Sequence, residues 1–269
     1  MSAAPPSPCY FLPAMFGLTK VTAQTELFTV IDNLLSAEVW DRLWNYFQIQ
    51  PMNPVRALGL QGHWLLEDSD TLRGPTIGWG HKWDAQYPSG APIDDVMKAM
   101  VDCAPLFAAS VGRYQTDWKI FSAMPTIYQV GQGLVWHRDS EDNTGSWIFY
   151  AHNDWNIEWG GELLLSHAAD LPRDSGVYFH RLRHTAALPA PPPWQSHLDN
   201  SDANDLLMAS GFGSYVLPKP NRLVVIKGGT PHAIAKIRPA AGSHVRASIG
   251  GFFKKASVRM DLPAVPWTV

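Results

Sequence analysis

The stretch KIFSAMPTIYQVGQGLVWHRD, residues 119–139, begins a part of the chain in which short apolar runs alternate with turn residues. This alternation continues to about residue 255, and no long helix is predicted among the apolar runs. The apolar runs are KIFSAM, TIYQV, LVWH, SWIFY, ELLL, SYVL, RLVVI, HAIAKI and RASIGGFF. About eight or nine short strands in succession are typical of a β-sandwich or jelly roll, which is the fold that the sequence predicts here.

Two helices are predicted ahead of these strands. SAEVWDRLWNYFQ (36–48) carries an apolar stripe at helical spacing, and Ser36 is a suitable N-cap. PIDDVMKAMVDC (92–103) starts with a proline, which the first turn of a helix tolerates. LFTVIDNLL (27–35) begins as a short strand. Helices followed by strands predict a mainly β fold of the α+β class, in which the N-terminal helices support one sheet.

The 269 residues are predicted to form a single domain. Its N-terminal part (1–118) would comprise a loose arm, the helices and an aromatic-rich irregular loop. Its strand-rich core (119–255) is interrupted by an insertion at 168–213. Long segments of this kind often serve as lids or binding loops, and a surface insertion without a role is the alternative.

Composition argues against several classes of function. The net charge is −3 and no long basic run occurs, so nucleic-acid binding is not expected. Cys9 and Cys103 are the only cysteines, which excludes a disulfide framework. The N-terminus is broken by prolines and has no basic residue before Lys20, and no apolar run of about 18 residues occurs. We therefore expect a soluble cytoplasmic protein with no membrane partner, and the sequence does not indicate an oligomeric state.

A His-x-Asp triplet, which can offer two metal ligands from one strand face, ends the opening stretch at His137 and Asp139. The spacing recurs in HND (152–154) and HLD (197–199), and composition predicts about one His-x-acid triplet by chance. Context favours the first triplet, because His137 ends the apolar run LVW after two glycines. His152 is predicted to be a hydrogen-bonding turn residue, and His197 a solvated one.

A third ligand and a basic residue follow downstream. His232 opens the run HAIAKI after a turn, which would return the chain to the mouth of a barrel. Two histidines and one carboxylate are the ligand set of non-haem Fe(II) oxygenases. Arg246 and Ser248 share a strand face, and a guanidinium inside an apolar barrel needs an anion, which a dicarboxylate cosubstrate would supply. The pair His180 and His184, spaced for zinc on a helix, is a weaker metal candidate because no glutamate follows as in zinc-protease motifs.

Taken in order, these features resemble the 2-oxoglutarate/Fe(II)-dependent dioxygenases, in particular their prolyl-hydroxylase-like branch. The matching pieces are FTVIDNLLSAEVWDRL, YQVGQGLVWHRD, FYAHNDWNIEWGGELLL, PKPNRLVVIKGGTPHAI and RASIGGFF. The resemblance implies a double-stranded β-helix, that is, a cupin-like jelly roll. It also implies that His137, Asp139 and His232 hold the catalytic iron.

The resemblance further implies how the cosubstrate binds. Arg246, with Ser248 beside it, would bind the distal carboxylate of 2-oxoglutarate. Tyr128 and Tyr150 match tyrosines that line the cosubstrate site in this branch, and packing in the core is their alternative role. O2 would be the second cosubstrate, and ascorbate a supporting reductant.

The activity implied is oxidation of an unactivated C–H bond, with hydroxylation as the usual outcome and succinate and CO2 as coproducts. A small molecule, such as an amino acid or natural-product intermediate, is the expected substrate. A prolyl-type peptidyl hydroxylase and a non-oxygenase, cupin-like metal-binding module are the alternatives. The long insertion, and Arg246 with a serine where collagen-type prolyl hydroxylases have lysine, weaken transfer of the prolyl substrate. Asp139 argues against halogenation, because halogenating relatives lack this ligand, whereas desaturation, epoxidation and ring closure stay open.

Substrate contacts are predicted in the aromatic segment GWGHKWDAQY, which precedes the strand-rich core. Relatives often have substrate-covering loops in this position. The candidates are Trp79, His81 and Trp83, with ordinary packing as the alternative.

Overall fold

The computed structural model describes residues 18–55, 71–140, 142–167 and 207–257. Within them the helices are α1 (Ala37–Ile49), α2 (Ile93–Asp102) and α3 (Ala104–Val111). Helix α1 begins as predicted, because the Ser36 side chain accepts a hydrogen bond from the Val39 amide. No helix in the described part of the chain is both long enough and apolar enough to cross a membrane.

The strands fall into two groups along the chain. The N-terminal group is β1 (Lys20–Gln24), β2 (Phe28–Asp32), β3 (Asn53–Pro54), β4 (Leu72–Arg73), β5 (Ile77–Trp79) and β6 (Ala85–Gln86). The second group is β7 (Trp118–Tyr128), β8 (Leu134–His137), β9 (Asn143–Tyr150), β10 (Leu163–Ser166), β11 (Gly213–Val216), β12 (Arg222–Lys227), β13 (His232–Ile234) and β14 (Arg246–Lys255).

Strands β7 to β14 divide equally between two antiparallel sheets. The larger sheet has the order β1-β2-β12-β9-β14-β7-β4-β3, with β5 pairing β7 and β6 pairing β5. The smaller sheet has the order β11-β10-β13-β8. Four strands in each sheet, alternating along the chain except that β10 and β11 both lie in the smaller sheet, form the double-stranded β-helix. The predicted mainly β jelly roll is thereby confirmed.

The two faces of the larger sheet bury different sets of side chains. Alternate residues on one face pack with the three helices in the main core, among them Trp118, Phe121, Trp147, Phe149, Leu223 and Phe253. On the opposite face Tyr150, Val224 and Ile226 contact Leu163 and Leu165 of β10. The second face therefore forms the inside of the β-helix and is called the barrel face below.

The structure corrects the prediction of two strands at KIFSAM and TIYQV. They form one strand, β7, that continues through Pro125. The Pro125 carbonyl accepts a hydrogen bond from the Gly74 amide, so its missing N–H would point to the same side. On that side β4 has ended at Arg73 and β5 begins only at Ile77, so the proline removes no ladder hydrogen bond there.

Further elements were not predicted from the sequence. Helix α3 follows α2 directly, with Pro105 in its first turn, where the predicted helix was expected to stop. The segment expected to be irregular holds the short strands β4, β5 and β6, and β1 lies in the arm expected to be loose. Most of the predicted insertion, residues 168–206, lies outside the described residues, and residues 207–210 are helical.

Candidate metal centre

Three potential metal ligands meet at one end of the smaller sheet. Antiparallel pairing of β8 with β13 sets His137 opposite His232, and Asp139 follows β8 by two residues. The Nε2 atoms of His137 and His232 lie 3.8 Å from the two carboxylate oxygens of Asp139, one to each oxygen. The ligand atoms lie within 4.8 Å of one another, and both histidines are only 5% exposed. Within the described ranges, no other group of three or more His, Cys, Asp or Glu residues is as close.

Backbone carbonyls fix the orientation of both imidazole rings. His137 Nδ1 donates to the Val135 oxygen at 2.8 Å, and His232 Nδ1 donates to the Thr230 oxygen at 2.9 Å. A carbonyl only accepts, so each Nδ1 carries a proton, and Nε2, which lies on the side of Asp139, is the ring nitrogen that a metal would bind. This is the arrangement by which outer contacts orient histidine ligands of metals. The donor set of two imidazoles and one carboxylate fits Fe(II).

A buried arginine begins β14 on the barrel face. Arg246 is 0% exposed, and its Nε donates to the Gly161 carbonyl oxygen at 3.1 Å. Its Nη1 donates to Ser248 Oγ at 3.3 Å. The guanidinium carbon lies 5.2 Å from the ring centre of Tyr128 and 4.9 Å from that of Tyr150. Strand pairing explains this cluster, because Tyr128 is opposite Arg246, and Tyr150 is opposite Ser248.

Two buried polar atoms in this cluster have no hydrogen-bond partner among the described residues. They are Nη2 of Arg246 and the hydroxyl oxygen of Tyr150. Leaving a buried charged donor such as Arg246 Nη2 unpaired is costly, and a bound anion would satisfy it. A carboxylate would accept from both groups, which fits the distal end of a dicarboxylate.

Both tyrosines stay protonated at neutral pH. Burial raises the pKa of Tyr128 to about 12, although the positive charge of Arg246 opposes this rise. Burial likewise raises the pKa of Tyr150, whereas the charge of Arg246 and the closeness of its guanidinium to the hydroxyl, which favours a hydrogen bond to the phenolate, act to lower it. Each phenol can therefore donate a hydrogen bond to an anion in the cluster.

The structure shows a different role for His152 of the HND triplet. Both ring nitrogens of buried His152 face carbonyl oxygens, of Ala247 at 3.1 Å and of Pro218 at 2.7 Å, as expected for a hydrogen-bonding residue. Its triplet partner Asp154 lies instead 3.7 Å from His244. The HLD triplet (197–199) and the HRLRH pair (180–184) lie outside the described residues.

The predicted aromatic substrate contacts separate into two groups. Trp79 packs in the helix-side core, stacks on Phe121 and donates from Nε1 to the Tyr114 hydroxyl at 3.0 Å. This is the sheet face opposite the barrel, which favours the alternative of ordinary packing for Trp79. Trp83 lies against Gly78 on the barrel side of β5. The rings of His81 and Trp83 meet edge to face, with their centres 4.9 Å apart.

Two surface cavities lie apart from the three ligands. The larger, about 430 Å³, is lined by residues around the start of α1, including Ser36 and Trp40. The other, about 280 Å³, is apolar and lies on the smaller sheet, where Trp136, Leu164 and Tyr215 contribute. Neither is lined by His137, Asp139 or His232, so the register of the strands is the better guide to the site.

Comparison with known proteins gives matches among solved structures. No protein-family model and no curated protein matches the sequence. A prolyl-4-hydroxylase from Pseudomonas putida is 17% identical, with 84% of this chain and 92% of that chain covered at a TM-score of 0.50. A prolyl hydroxylase from Trichoplax adhaerens, in complex with a peptide of hypoxia inducible factor, is 14% identical over 86% and 84%, with a TM-score of 0.51. A 2OG-Fe(II) oxygenase family oxidoreductase from Burkholderia pseudomallei is 11% identical over 84% of each chain, also at 0.51.

These likenesses identify the class of fold. The chain has the fold of the 2-oxoglutarate/Fe(II) oxygenases, with prolyl hydroxylases among its structural neighbours. The resemblance inferred from the sequence is confirmed at this level.

Proposed function

We propose that this protein is an Fe(II)/2-oxoglutarate-dependent dioxygenase that hydroxylates an unactivated C–H bond of a small molecule, releasing succinate and CO2. The observation that carries the proposal is the joint presence of two groups in one β-helix. These are the buried His137, Asp139 and His232 cluster and the buried Arg246, whose Nη2 lacks a partner among the described residues. Either group alone has structural explanations, but together they match the two ends of a metal-chelating dicarboxylate.

Each residue has a distinct part in this function. His137 and His232 would hold the metal through Nε2, and Asp139 would supply the anionic ligand. Bound Fe(II) would supply the redox chemistry that couples O2 to substrate oxidation. Arg246, Ser248 and the Tyr150 hydroxyl would hold the distal carboxylate of 2-oxoglutarate.

Tyr128 would complete the cosubstrate site from the neighbouring strand. It lies opposite Arg246, and its ring is close to the guanidinium. A ring face beside a cation stabilises the charge, and the ring also excludes water from the ion pair that Arg246 would form.

The choice of a small-molecule substrate rests on departures from prolyl hydroxylases. They are the 168–213 insertion and Arg246 with Ser248 in place of a lysine. A peptidyl hydroxylase is the second candidate, supported by the likeness to a prolyl hydroxylase in complex with a peptide. The proposal further takes residues 1–269 as a single oxygenase domain.

Spectroscopy without oxygen tests the proposal directly. Anaerobic Fe(II) and 2-oxoglutarate should give a visible charge-transfer band, which His137→Ala should abolish. Arg246→Met should weaken 2-oxoglutarate binding by about 10- to 100-fold, since a charged hydrogen bond contributes about 1.5–3 kcal/mol. His244→Ala and Arg238→Met, which alter exposed residues, are the matched controls and should leave the band unchanged.

A substrate screen with the same protein distinguishes the alternative functions. A screen of free metabolites and of peptides for oxygen-dependent succinate release separates the small-molecule from the peptidyl reaction. Absence of both the band and succinate formation would contradict the oxygenase proposal and favour a non-oxygenase metal-binding module.

A further inference from the structure

A second arginine lies on the barrel face, away from the cosubstrate cluster. Arg73 of β4 is directly opposite Thr126 of β7, and Thr126 is opposite Ser248 of β14. Residues opposite one another in antiparallel strands point to the same face of a sheet. The side chains of Arg73 and Thr126 therefore start from the face that carries Ser248 and Arg246. Two strand spacings separate Arg73 from β14, roughly 10 Å.

The guanidinium of Arg73 is incompletely paired. One Nη atom donates to the Thr76 hydroxyl in a short contact, whereas the buried Nε has no partner in the described part of the chain. Asp84 is the acidic residue whose charge acts on Arg73. Its carboxylate accepts a hydrogen bond from the Thr76 amide at 2.8 Å, however, and among the described residues it forms no ion pair with Arg73. The charge of Arg73 is thus only partly compensated.

A neighbouring hydroxyl is also without a partner. Thr71, two residues before Arg73, is 0% exposed, and its Oγ1 has no hydrogen-bond partner among the described residues. Its backbone is held by the Val55 amide, which donates to the Thr71 oxygen at 2.9 Å. Orphaned donors on residues 71 and 73 beside β7 are explained if both face a ligand that accepts hydrogen bonds.

The ligand at this position should differ from the cosubstrate. Arg246 and Tyr150 already offer unpaired groups for one carboxylate, so 2-oxoglutarate needs no second arginine. An arginine fork pairs best with a planar anion such as a carboxylate. The remaining reactant of the proposed reaction is the substrate.

We infer that Arg73 binds a carboxylate of the substrate, so that the protein oxidises a carboxylic acid such as an amino acid. The inference rests on the proposed function, since it assigns the substrate of the same site. Arg73 is here a binding and specificity residue. It would orient the acid across the barrel face from β4, with Thr71 contributing a further hydrogen bond.

Kinetics of matched acids and amides test this inference. The probes are the free L-amino acids and small carboxylic acids, each with its primary amide, added to protein with Fe(II), 2-oxoglutarate and O2. Acids should stimulate succinate formation and their amides should not. Arg73→Gln should raise the half-saturating concentration of the acid about 10- to 100-fold. The half-saturating concentration of 2-oxoglutarate should change less than about twofold, and Arg73→Lys should recover part of the loss.

A surface arginine provides the matched control. Arg42→Gln on α1, where the side chain is half exposed and pairs with Asp95, should leave all of these values unchanged. Equal stimulation by acids and amides would overturn the inference, as would unaltered kinetics in Arg73→Gln. Failure of every acid in protein that still shows the 2-oxoglutarate band would also overturn it.

A binding measurement separates this inference from the oxygenase proposal. The acids should raise the Tm of the wild-type protein without iron or oxygen, and should not raise that of Arg73→Gln. If the charge-transfer band is absent but this Tm difference persists, the proposed function fails and acid binding at Arg73 stands. If the band is present and the Tm difference is absent, only the assignment of Arg73 fails.

Discussion

At the scale of single residues, His152 shows how packing around the site constrains charge. Its two ring nitrogens face the carbonyls of Ala247, next to Arg246, and of Pro218. A neutral imidazole has one N–H and can donate to only one of them. Burial nevertheless lowers the pKa of His152 to about 4, and the nearby charge of Arg246 adds to this, although the carbonyls oppose it. His152 is therefore neutral in the folded protein at neutral pH.

This histidine should make stability depend on pH in mildly acidic solution. Its pKa falls from 6.5 in the unfolded chain to about 4 in the fold, so only the unfolded chain takes up the proton in between. The stabilisation is complete above about pH 6.5 and is lost as the pH falls towards 4, by about 3 kcal/mol in total. Urea unfolding at a series of pH values from 4 to 7 gives the change of the free energy of unfolding with pH, which should be smaller for His152→Gln than for the wild type. An equal change with pH in both proteins would contradict the pKa assignment.

Residue patterns indicated the candidate metal ligands but not Arg73. His137, Asp139 and His232 could be identified because they lie at or next to the ends of strongly apolar strands, whose alternation is readable. Arg73 could not be identified in this way, because β4 has only two residues. Its position opposite Thr126 depends on the pairing of β4 with β7, a strand distant in sequence. The orphaned atoms of Thr71 and Tyr150 are likewise visible only once the packing is known.

At the scale of elements, the turn before β10 supports the position of Arg246. Gly161 has φ +75, and a Cβ there would lie 2.9 Å from Arg246 Cδ and 2.7 Å from Ile237 Cδ1. The same residue supplies the carbonyl that accepts from Arg246 Nε. A side chain at this turn would thus displace the guanidinium.

We expect Gly161→Ala to weaken 2-oxoglutarate binding about tenfold or more, because a shifted guanidinium loses charged hydrogen bonds. Gly242→Ala is the control, since Gly242 has φ +59 but a Cβ added there would meet no described atom within 4 Å. Both variants should lose about 1–2 kcal/mol of stability from the left-handed backbone. Anaerobic titration with 2-oxoglutarate measures the difference, and similar affinities in both variants would show that Gly161 does not support the site.

Strands within apolar runs were predictable, whereas the short strands outside such runs were not. The runs that became β8 to β14 alternate or are continuously apolar, which identifies them locally. Strands β3 to β6 have two or three residues each and are stabilised by pairing with β7 or with one another, so no local pattern marks them. Pro125 suggested a break in β7, and only the gap between β4 and β5 explains why the strand continues.

At the scale of the whole molecule, an ion cluster joins the N-terminal hairpin to the β-helix. Asp32 of β2 is directly opposite Arg222 of β12. Its carboxylate accepts from Arg222 Nε at 2.7 Å and Nη2 at 3.0 Å, and from Lys219 Nζ at 3.0 Å. Burial would raise the pKa of Asp32, but the hydrogen bonds and charges of Arg222 and Lys219 together lower it below its usual value.

Removing this carboxylate should loosen the attachment of β1 and β2 to the larger sheet. The Asp32 side chain is 8% exposed and that of Arg222 is 14% exposed, so Asp32→Asn leaves a mostly buried guanidinium without its counter-charge. We expect a loss of about 3 kcal/mol in the free energy of unfolding, measured by urea titration at pH 7. Asp102→Asn, which removes a more exposed i,i+4 pair with Lys98, should cost at most about 0.5 kcal/mol. The difference should shrink below about pH 4, because the lowered pKa of Asp32 contributes stability that is lost as its carboxylate protonates. Equal losses in the two variants at pH 7 would mean that the hairpin is held to the barrel by strand pairing and apolar contacts alone.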